Sequence, residues 1–110
     1  SAKLAPVIIQ KQAMYIYREA LTNIRRYANA KKVQVELGYV NNGLQISISD
    51  DGRGFDLDQI RSDHHLGLKI MQARSERMGG TLTIHTAPGN GTRIVAHIPA
   101  APPPNANRTN

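Results

Sequence analysis

The sequence predicts an α/β (α+β) fold: a two-layer sandwich in which a mostly antiparallel sheet is covered on one face by helices. Two stretches carry apolar residues at the 3.6-residue spacing of helices, and two others alternate apolar and polar residues on both sides of a turn. The order along the chain is helix, hairpin, polar segment, helix, hairpin. Strands with one apolar face need helices packed on that face, and we expect the two helices to cover it.

The first helix is predicted from about Val7 to Ala30, where the apolar residues share one broad face. These residues are Ile9, Ala13, Ile16, Ala20, Leu21, Ile24 and Ala28. A second helix is predicted from Leu66 to Met78, and the glycine pair 79–80 is typical of a helix end.

Each predicted hairpin consists of two alternating stretches joined by residues that favour turns. The first pairs residues 33–39 with 44–50 around Asn-Asn-Gly, and the second pairs 81–85 with 93–98 around Pro-Gly-Asn-Gly. Residues 56–65 are polar with little periodicity, and we expect them to form a lid over a site. The alternative is a plain connector.

The ends of the chain lack the periodicity of a folded segment. We expect residues 1–6 to be a linker or an added remnant, and residues 100–110, with three consecutive prolines, to be a disordered tail. The predicted domain therefore comprises residues 7–99.

Composition limits the classes of function. With 110 residues, 40% hydrophobic and 20% charged, the chain has the size and composition of one globular domain. It contains no cysteine, which excludes disulfides, thiolate metal sites and cysteine nucleophiles. No apolar run reaches the roughly 18 residues that a membrane span needs. The net charge of +6 suits phosphate-rich partners, which include nucleic acid, acidic membrane surfaces and nucleotides.

The strand at residues 44–50 ends in a candidate binding site. Its alternation places Asp50, not Asp51, on the same face as the apolar side chains. A carboxylate on the core side is costly unless it meets a hydrogen-bond donor, and Gly52 and Gly54 allow another group to approach the backbone closely. The alternative is an ordinary strand-ending turn, since Asp and Gly favour turns for conformational reasons.

A second candidate lies on one flank of the first helix. Asn has poor helix propensity, yet Asn23 lies in the helix interior, four residues after Glu19 and close to Arg26. An amide oxygen beside a carboxylate suits Mg²⁺, and the alternative is a solvent-exposed polar position. Gly67, at the predicted start of the second helix, would leave backbone N–H groups free to bind phosphate.

The remaining polar residues give weaker signals. Gly91 and Thr92 belong either to a binding site or simply to the hairpin turn. The histidines lack the spacing of metal ligands. We expect His65 to contact bound phosphate and three others to lie on the surface, namely His64, His85 and His97. The sequence contains no P-loop, no dinucleotide-binding fingerprint and no serine nucleophile elbow.

Four separated motifs follow one another in a fixed order. They are Arg-Glu-Ala-Leu-Thr-Asn with Arg-Tyr-Ala at 18–28, Asp-Asp-Gly-Arg-Gly-Phe at 50–55, His-Leu-Gly-Leu with a later Met-Gly-Gly at 65–80, and Gly-Thr at 91–92. The series resembles the ATP-binding catalytic domain of sensor histidine kinases, in the GHKL ATPase superfamily with its Bergerat fold. The first and third motifs resemble the nitrate/nitrite-sensor subfamily. The resemblance covers about residues 7 to 99.

The resemblance implies roles for particular residues. Asn23 would hold the Mg²⁺ that bridges the ATP phosphates, Glu19 would orient the attacking group, and Arg26 would contact phosphate. Asp50 would accept a hydrogen bond from the adenine amino group. Further nucleotide contacts are implied for Gly52, Gly54, His65, Gly67, Leu68 and Thr92. Two positions depart from the family pattern: Tyr27 stands where histidine is common, and His64 where many relatives have a glycine beside the lid.

The implied function is to bind Mg-ATP and transfer its γ-phosphoryl group to a histidine of a dimerisation domain outside this chain, for relay to a response regulator. None of the four histidines lies on an N-terminal helix, so we expect the phosphoacceptor to be absent. The full protein is expected to be a homodimer at the inner face of a bacterial membrane, with this domain in the cytoplasm. The isolated domain is expected to be a monomer that binds nucleotide yet turns over poorly.

Two alternatives remain at this stage. One is a GHKL ATPase of another kind, such as an anti-sigma serine kinase or a chaperone-type ATPase. The other is a basic nucleic-acid-binding module, which would need cations on one face together with stacking aromatic residues. The cations here are scattered from Lys3 to Arg108, with one Phe and four Tyr in the whole chain. We therefore expect no nucleic-acid partner.

Overall fold

The computed structural model describes residues 7–100. The predicted linker at 1–6 and residues 101–110 of the predicted tail lie outside the described residues. The helices are α1 (Val7–Asn23), which continues as a π-helical turn (Ile24–Ala28), and α2 (Ser62–Arg77). The strands are β1 (Val33–Val40), β2 (Gly43–Asp50), β3 (Thr81–Thr86) and β4 (Thr92–Pro99). This order of elements confirms the predicted fold class.

The sheet has the strand order β1-β2-β4-β3, with every neighbouring pair antiparallel. Strands β2 and β4, one from each hairpin, are therefore its centre. The register places Asp50 opposite Thr92, and Thr92 opposite Thr86. Because directly opposite residues share one face of a sheet, these three side chains form a row across the end of the sheet.

The core lies between the helices and one face of the sheet. Helix α1 packs on β2 and β4, and α2 packs on β3 and β4. The predicted stripe of α1 faces this core, although Leu21 and Ile24 are only partly buried. The largest fully buried apolar side chains are Ile9, Ile16, Ile48, Met71 and Ile98.

The first helix ends close to its predicted limit, in a form that the sequence did not predict. After Asn23 the chain takes a π-helical turn, and Asn29 adopts a left-handed conformation (φ 50°, ψ 43°) that ends it. Beyond it, the backbone N–H groups of Lys31 and Lys32 donate to Oδ1 of Asp51, at 2.8 and 2.9 Å. Asp51 therefore ties the end of the helix to the chain segment that follows β2.

Helix α2 begins at Ser62, before the predicted start at Leu66. The first helical hydrogen bond runs from the N–H of His65 to the carbonyl of Arg61, at 2.9 Å. The segment 56–65, predicted to be an aperiodic lid, is therefore helical from Ser62 onward. Gly67 lies beyond the first four residues of the helix, so the prediction that it stands at the helix start is wrong.

The prediction that helices cover the whole sheet is wrong for β1. Val33, Leu37 and Tyr39 point to the helical side of the sheet but are 44%, 64% and 47% exposed. The reason is that the two helices lie over the other three strands. Between α1 and β1 this leaves an apolar groove of about 660 Å³, which Met14 and Tyr17 also line.

At position 54, only glycine allows the close approach of backbone segments that the structure shows. Gly54 has a φ of +60°, and a Cβ at this position would collide with the carbonyl oxygen of Ala87 and lie 2.9 Å from that of Gly91. We expect Gly54→Ala to lower the free energy of unfolding by about 2 kcal/mol or more, measured by urea denaturation. Gly38→Ala is the control, since a Cβ there meets no described heavy atom within 4 Å. Equal stability of the two variants would contradict this role of Gly54.

Asp51 gives a second test of the fold. Hydrogen bonds from the backbone N–H groups of Lys32 and Lys31 lower the pKa of its carboxyl group. A carboxyl group whose pKa is lowered by folding stabilises the folded state at pH values above its ordinary pKa of about 4. This stability is lost as the pH falls through the lowered pKa. We expect Asp51→Ala to have a lower melting temperature than the wild type at pH 7, with the difference shrinking towards pH 3. Gln34→Ala, which removes an exposed uncharged side chain of β1, should show no such trend. A difference that is independent of pH would refute the assignment.

Candidate functional site

A small cavity lies where the C-terminal half of α1, the ends of β2 and β4 and the start of α2 meet. Its volume is about 20 Å³. Five of the predicted site residues line it: Asn23, Asp50, Gly54, Leu68 and Thr92. The aromatic side chains Tyr27, Phe55 and His64 line it as well. The structure therefore brings together residues that lie far apart in the sequence.

Asp50 faces this cavity from the end of β2, which confirms the side predicted from the strand alternation. The side chain is half-buried, and its Oδ1 accepts a hydrogen bond from the N–H of Gly52 at 2.8 Å. The carboxylate thus also shapes the turn, as the alternative interpretation proposed. Because a carboxylate has several acceptor positions, this single bond leaves it able to accept another donor from the cavity.

Asn23 is 7% exposed, so the alternative of a solvent-exposed polar position is wrong. Its Nδ2 is buried and has no hydrogen-bond partner among residues 7–100. An unsatisfied buried polar group costs about 1–3 kcal/mol, and an acceptor atom of a ligand in the cavity would satisfy it. A Cβ on Gly67 would lie 3.0 Å from Oε2 of Glu19 and 3.6 Å from Oδ1 of Asn23. The α2 backbone therefore passes directly over this pair.

Thr92 closes the opposite side of the cavity and is 9% exposed. Its hydroxyl lies 2.9 Å from that of Thr86, which donates to the carbonyl of Gly91 at 3.1 Å and accepts from the N–H of Phe55 at 3.1 Å. Either hydroxyl can be the donor within this pair, so Thr92 can serve the cavity as donor or acceptor. Thr86 was not predicted as a site residue, because only its strand register with Thr92 identifies it.

His64 was predicted to lie on the surface, and this prediction is wrong because the side chain is only 5% exposed. Its ring stacks on Tyr27 with the ring centres 4.0 Å apart and an angle of 14°, and it meets the ring of Phe55 at 4.6 Å and 62°. The cause is the early start of α2, which adds His64 to the buried stripe of Leu68, Met71 and Ser75. Extending that stripe by four residues would have identified it.

The environment of His64 affects its protonation. Burial lowers the pKa of the imidazole, and the charge of Asp63 opposes this shift only in part. For Asp63 itself, desolvation raises the pKa, but hydrogen bonds from the Tyr27 hydroxyl and the N–H of His64 outweigh it, so the pKa is lowered. Tyr27 therefore holds the first turn of α2 by its ring and by its hydroxyl.

Five predicted site residues do not line the cavity, namely Glu19, Arg26, Gly52, His65 and Gly67. Arg26 and His65 are exposed. Gly52 is buried, and a Cβ there would collide with the carbonyl oxygen of Ala28. The next residue binds the same carbonyl, since the N–H of Arg53 donates to it at 2.8 Å. Gly52 is therefore needed for the close approach of the turn to the π-helical segment.

The other histidines differ from each other in exposure. His85 is exposed, as predicted, whereas His97 is half-buried with its Nε2 2.7 Å from the carbonyl oxygen of Val40. Within residues 7–100, no cluster of three or more His, Asp or Glu side chains is arranged to hold a metal ion. No described helix is both long and apolar enough to cross a membrane.

Comparison with known proteins identifies relatives of the chain. The family described as "Histidine kinase-, DNA gyrase B-, and HSP90-like ATPase" matches residues 9–102. Over 94 residues the chain is 34% identical to "Sensor histidine kinase LiaS" of Bacillus subtilis (strain 168) and 36% identical to "Sensor protein VraS" of Staphylococcus aureus (strain COL). Each match covers 86% of this chain but 26% and 27% of the relatives. The chain thus spans about a quarter of their length.

Solved structures agree with this result. The blue-light activated histidine kinase of Erythrobacter litoralis EL346 matches with a TM-score of 0.72 and 25% identity, over 88% of this chain and 32% of that one. The ATP binding domain of PrrB from Mycobacterium tuberculosis shares the fold, with a TM-score of 0.65 and 24% identity, over 84% of this chain and 68% of that one.

The family match extends over nearly all the described residues and includes every residue that lines the cavity. The chain therefore belongs to the family of histidine kinase-, DNA gyrase B- and HSP90-like ATPases, as an ATP-binding domain of the kind that sensor histidine kinases carry.

Proposed function

We propose that this domain binds Mg-ATP in the cavity described above and transfers the γ-phosphoryl group to a histidine of a dimerisation domain outside this chain. A response regulator would then receive the phosphoryl group. The single observation that carries this proposal is the convergence of Asn23, Asp50 and Thr92 on one cavity, in a chain that belongs to an ATPase family.

One end of the cavity suits the adenine base. Asp50 is an acceptor that matches the amino group of adenine, whereas guanine presents an oxygen at the same position. Ile48 and Ile94 provide apolar walls beside this carboxylate. Gly54 lines the same region without a side chain that would occupy it. The base is therefore recognised by one directional hydrogen bond within a largely apolar site.

The other end suits the phosphates and Mg²⁺. The amide oxygen of Asn23 and the carboxylate of Glu19 are hard oxygen donors of the kind that Mg²⁺ prefers. The unpartnered Nδ2 of Asn23 is a donor suited to a phosphate oxygen. Bound Mg²⁺ supplies charge neutralisation, and in our proposal Glu19 orients the attacking group while the exposed cation Arg26 attracts the phosphates. Phosphoryl transfer depends mainly on such positioning and neutralisation.

The context of the full protein is also part of the proposal. Since the chain spans about a quarter of relatives that are named as sensor proteins, we infer that it belongs to a longer bacterial sensor, homodimeric and attached to the inner membrane, with this domain in the cytoplasm. The motifs at 18–23 and 65–71 support the finer assignment to the nitrate/nitrite-sensor-like subfamily. The isolated domain is expected to be monomeric.

Asn23→Ala tests the metal and phosphate end. We expect this variant to retain the wild-type circular dichroism spectrum and to lose Mg-ATP binding by more than about tenfold in calorimetric titrations, because it lacks both the oxygen ligand and the donor. Thr22→Ala is the matched control, since the Thr22 hydroxyl only donates to the carbonyl of Arg18, at 2.9 Å. Wild-type affinity in Asn23→Ala would refute the role of this amide.

Asp50→Asn tests recognition of the base. Replacing the charged acceptor should weaken ATP binding by about ten- to a hundredfold and reduce the preference for ATP over GTP, as measured by calorimetry with each nucleotide. Asp51→Asn is the adjacent control, because Asp51 binds the backbone of Lys31 and Lys32 and does not line the cavity. If both variants keep the wild-type ratio of ATP to GTP affinity, Asp50 does not distinguish adenine from guanine.

A further inference from the structure

We propose that the imidazole of His64 competes with the base of ATP for one end of the cavity, so that the first turn of α2 must open before nucleotide binds. This inference rests on the proposed function. It assigns to His64 the role of a built-in competitor for the base.

The first support is the position of the ring. His64 lies against Tyr27 and Phe55 and lines the same cavity as Asp50 and Thr92. With the ring in place, the remaining cavity of about 20 Å³ is enough for roughly one water molecule. Sites for small ligands are at least ten times larger. A purine therefore does not fit beside Asp50 until the imidazole leaves.

The second support is the chemistry of the contacts that hold the ring. Imidazole is a flat, nitrogen-containing aromatic ring, and a purine contains the same five-membered ring fused to a second one. Tyr27 stacks on His64 almost in parallel, while Phe55 meets its edge. Such aromatic surfaces favour any flat ring at this position. The surroundings that stabilise His64 are therefore the surroundings that would stabilise the base.

The third support is that the first turn of α2 can open without disturbing the core. His64 lies only two residues after the helix start at Ser62, whereas Leu68, Met71 and Ser75 anchor the rest of the helix. Helix ends open at low cost compared with global unfolding. Opening residues 62–65 would also shift the free N–H groups of the helix start towards Gly67, which lies over Glu19 and Asn23. Opening of this one turn would thus remove the His64 ring from the base end of the cavity and bring free N–H groups to the phosphate end.

Protonation should bias this equilibrium. The ionisable groups around His64 are Asp63 on its own helix, Tyr27 on the π-helical turn, Asp50 on β2 and Arg53, whose Nε donates to the carbonyl of Tyr27 at 2.6 Å. Burial lowers the pKa of His64, so the inserted ring is neutral. As the pH falls, a charged imidazole is expelled to water. Lower pH should therefore favour ATP.

Calorimetric titration of the full 110-residue chain with Mg-ATP tests the proposal. At pH 8 we expect His64→Ala to bind about tenfold more tightly than the wild type, because the competing ring is gone. His64→Phe should bind no more tightly than the wild type, since its ring still stacks. His85→Ala, an exposed histidine outside the cavity, is the control and should match the wild type.

The same titrations at pH 6.5 separate protonation of His64 from that of ATP. Free ATP changes its protonation in the same way in every titration. Any increase in affinity from pH 8 to pH 6.5 that the wild type shows and His64→Ala does not is therefore due to protonation of the His64 imidazole. We expect the tenfold gap between these two proteins to narrow at pH 6.5, and His64→Phe to show no such narrowing. A gap that does not change with pH would overturn the protonation step.

NMR titration of the histidine side chains gives a readout that needs no nucleotide. Without added ATP, we expect the imidazole of His64 to show ring-current shifts from Tyr27 and a pKa below the ordinary value of about 6.5, and both features to disappear when ATP is added. If His64 titrates at the ordinary value without added ATP, or if His64→Ala binds ATP no better than the wild type does, the inference is overturned while the proposed function stands. If no variant binds ATP, both fail.

Discussion

The pairing of β2 with β4 is the constraint on which the rest of the structure depends. It joins the two hairpins, and its register alone decides that Asp50 lies opposite Thr92. A shift by one residue would turn the carboxylate to the other face of the sheet and the apolar side chains of β2 with it. The core and the binding site are thus fixed by the same set of backbone hydrogen bonds. This is why the acidic end of one strand and the hydroxyl at the start of another share one cavity.

Two adjacent carboxylates at the end of β2, Asp50 and Asp51, have different tasks. Asp51 points away from the cavity and holds the backbone of Lys31 and Lys32, while Gly52 lets the turn approach Ala28. These contacts fix the π-helical end of the first helix against the sheet. Asn23 and Asp50, on different elements, are thereby held at a constant separation, which is what a ligand with a base at one end and phosphates at the other requires.

Periodicity predicted the elements and the side of the sheet on which Asp50 lies, because packing enforces both. Periodicity did not predict the features that leave no apolar pattern in the sequence. The first turn of α2 is polar, so the sequence showed no helical pattern before Leu66, and His64 was placed on the surface. Contacts across strands, such as the one between Thr86 and Thr92, depend on register, which alternation does not define. The alternation in β1 predicted an apolar face, but among the described residues no helix packs on that face, so its apolar side chains are exposed.

The buried amide of Asn23 has a consequence for how this sequence is constrained. A polar atom without a partner among residues 7–100 lowers stability, and an apolar side chain of similar volume would pack there at no such cost. In the proposed function, folding and ligand binding therefore favour different residues at this position. On that proposal, Asn23 carries an amide group that is left unsatisfied by the fold and is satisfied when ligand binds.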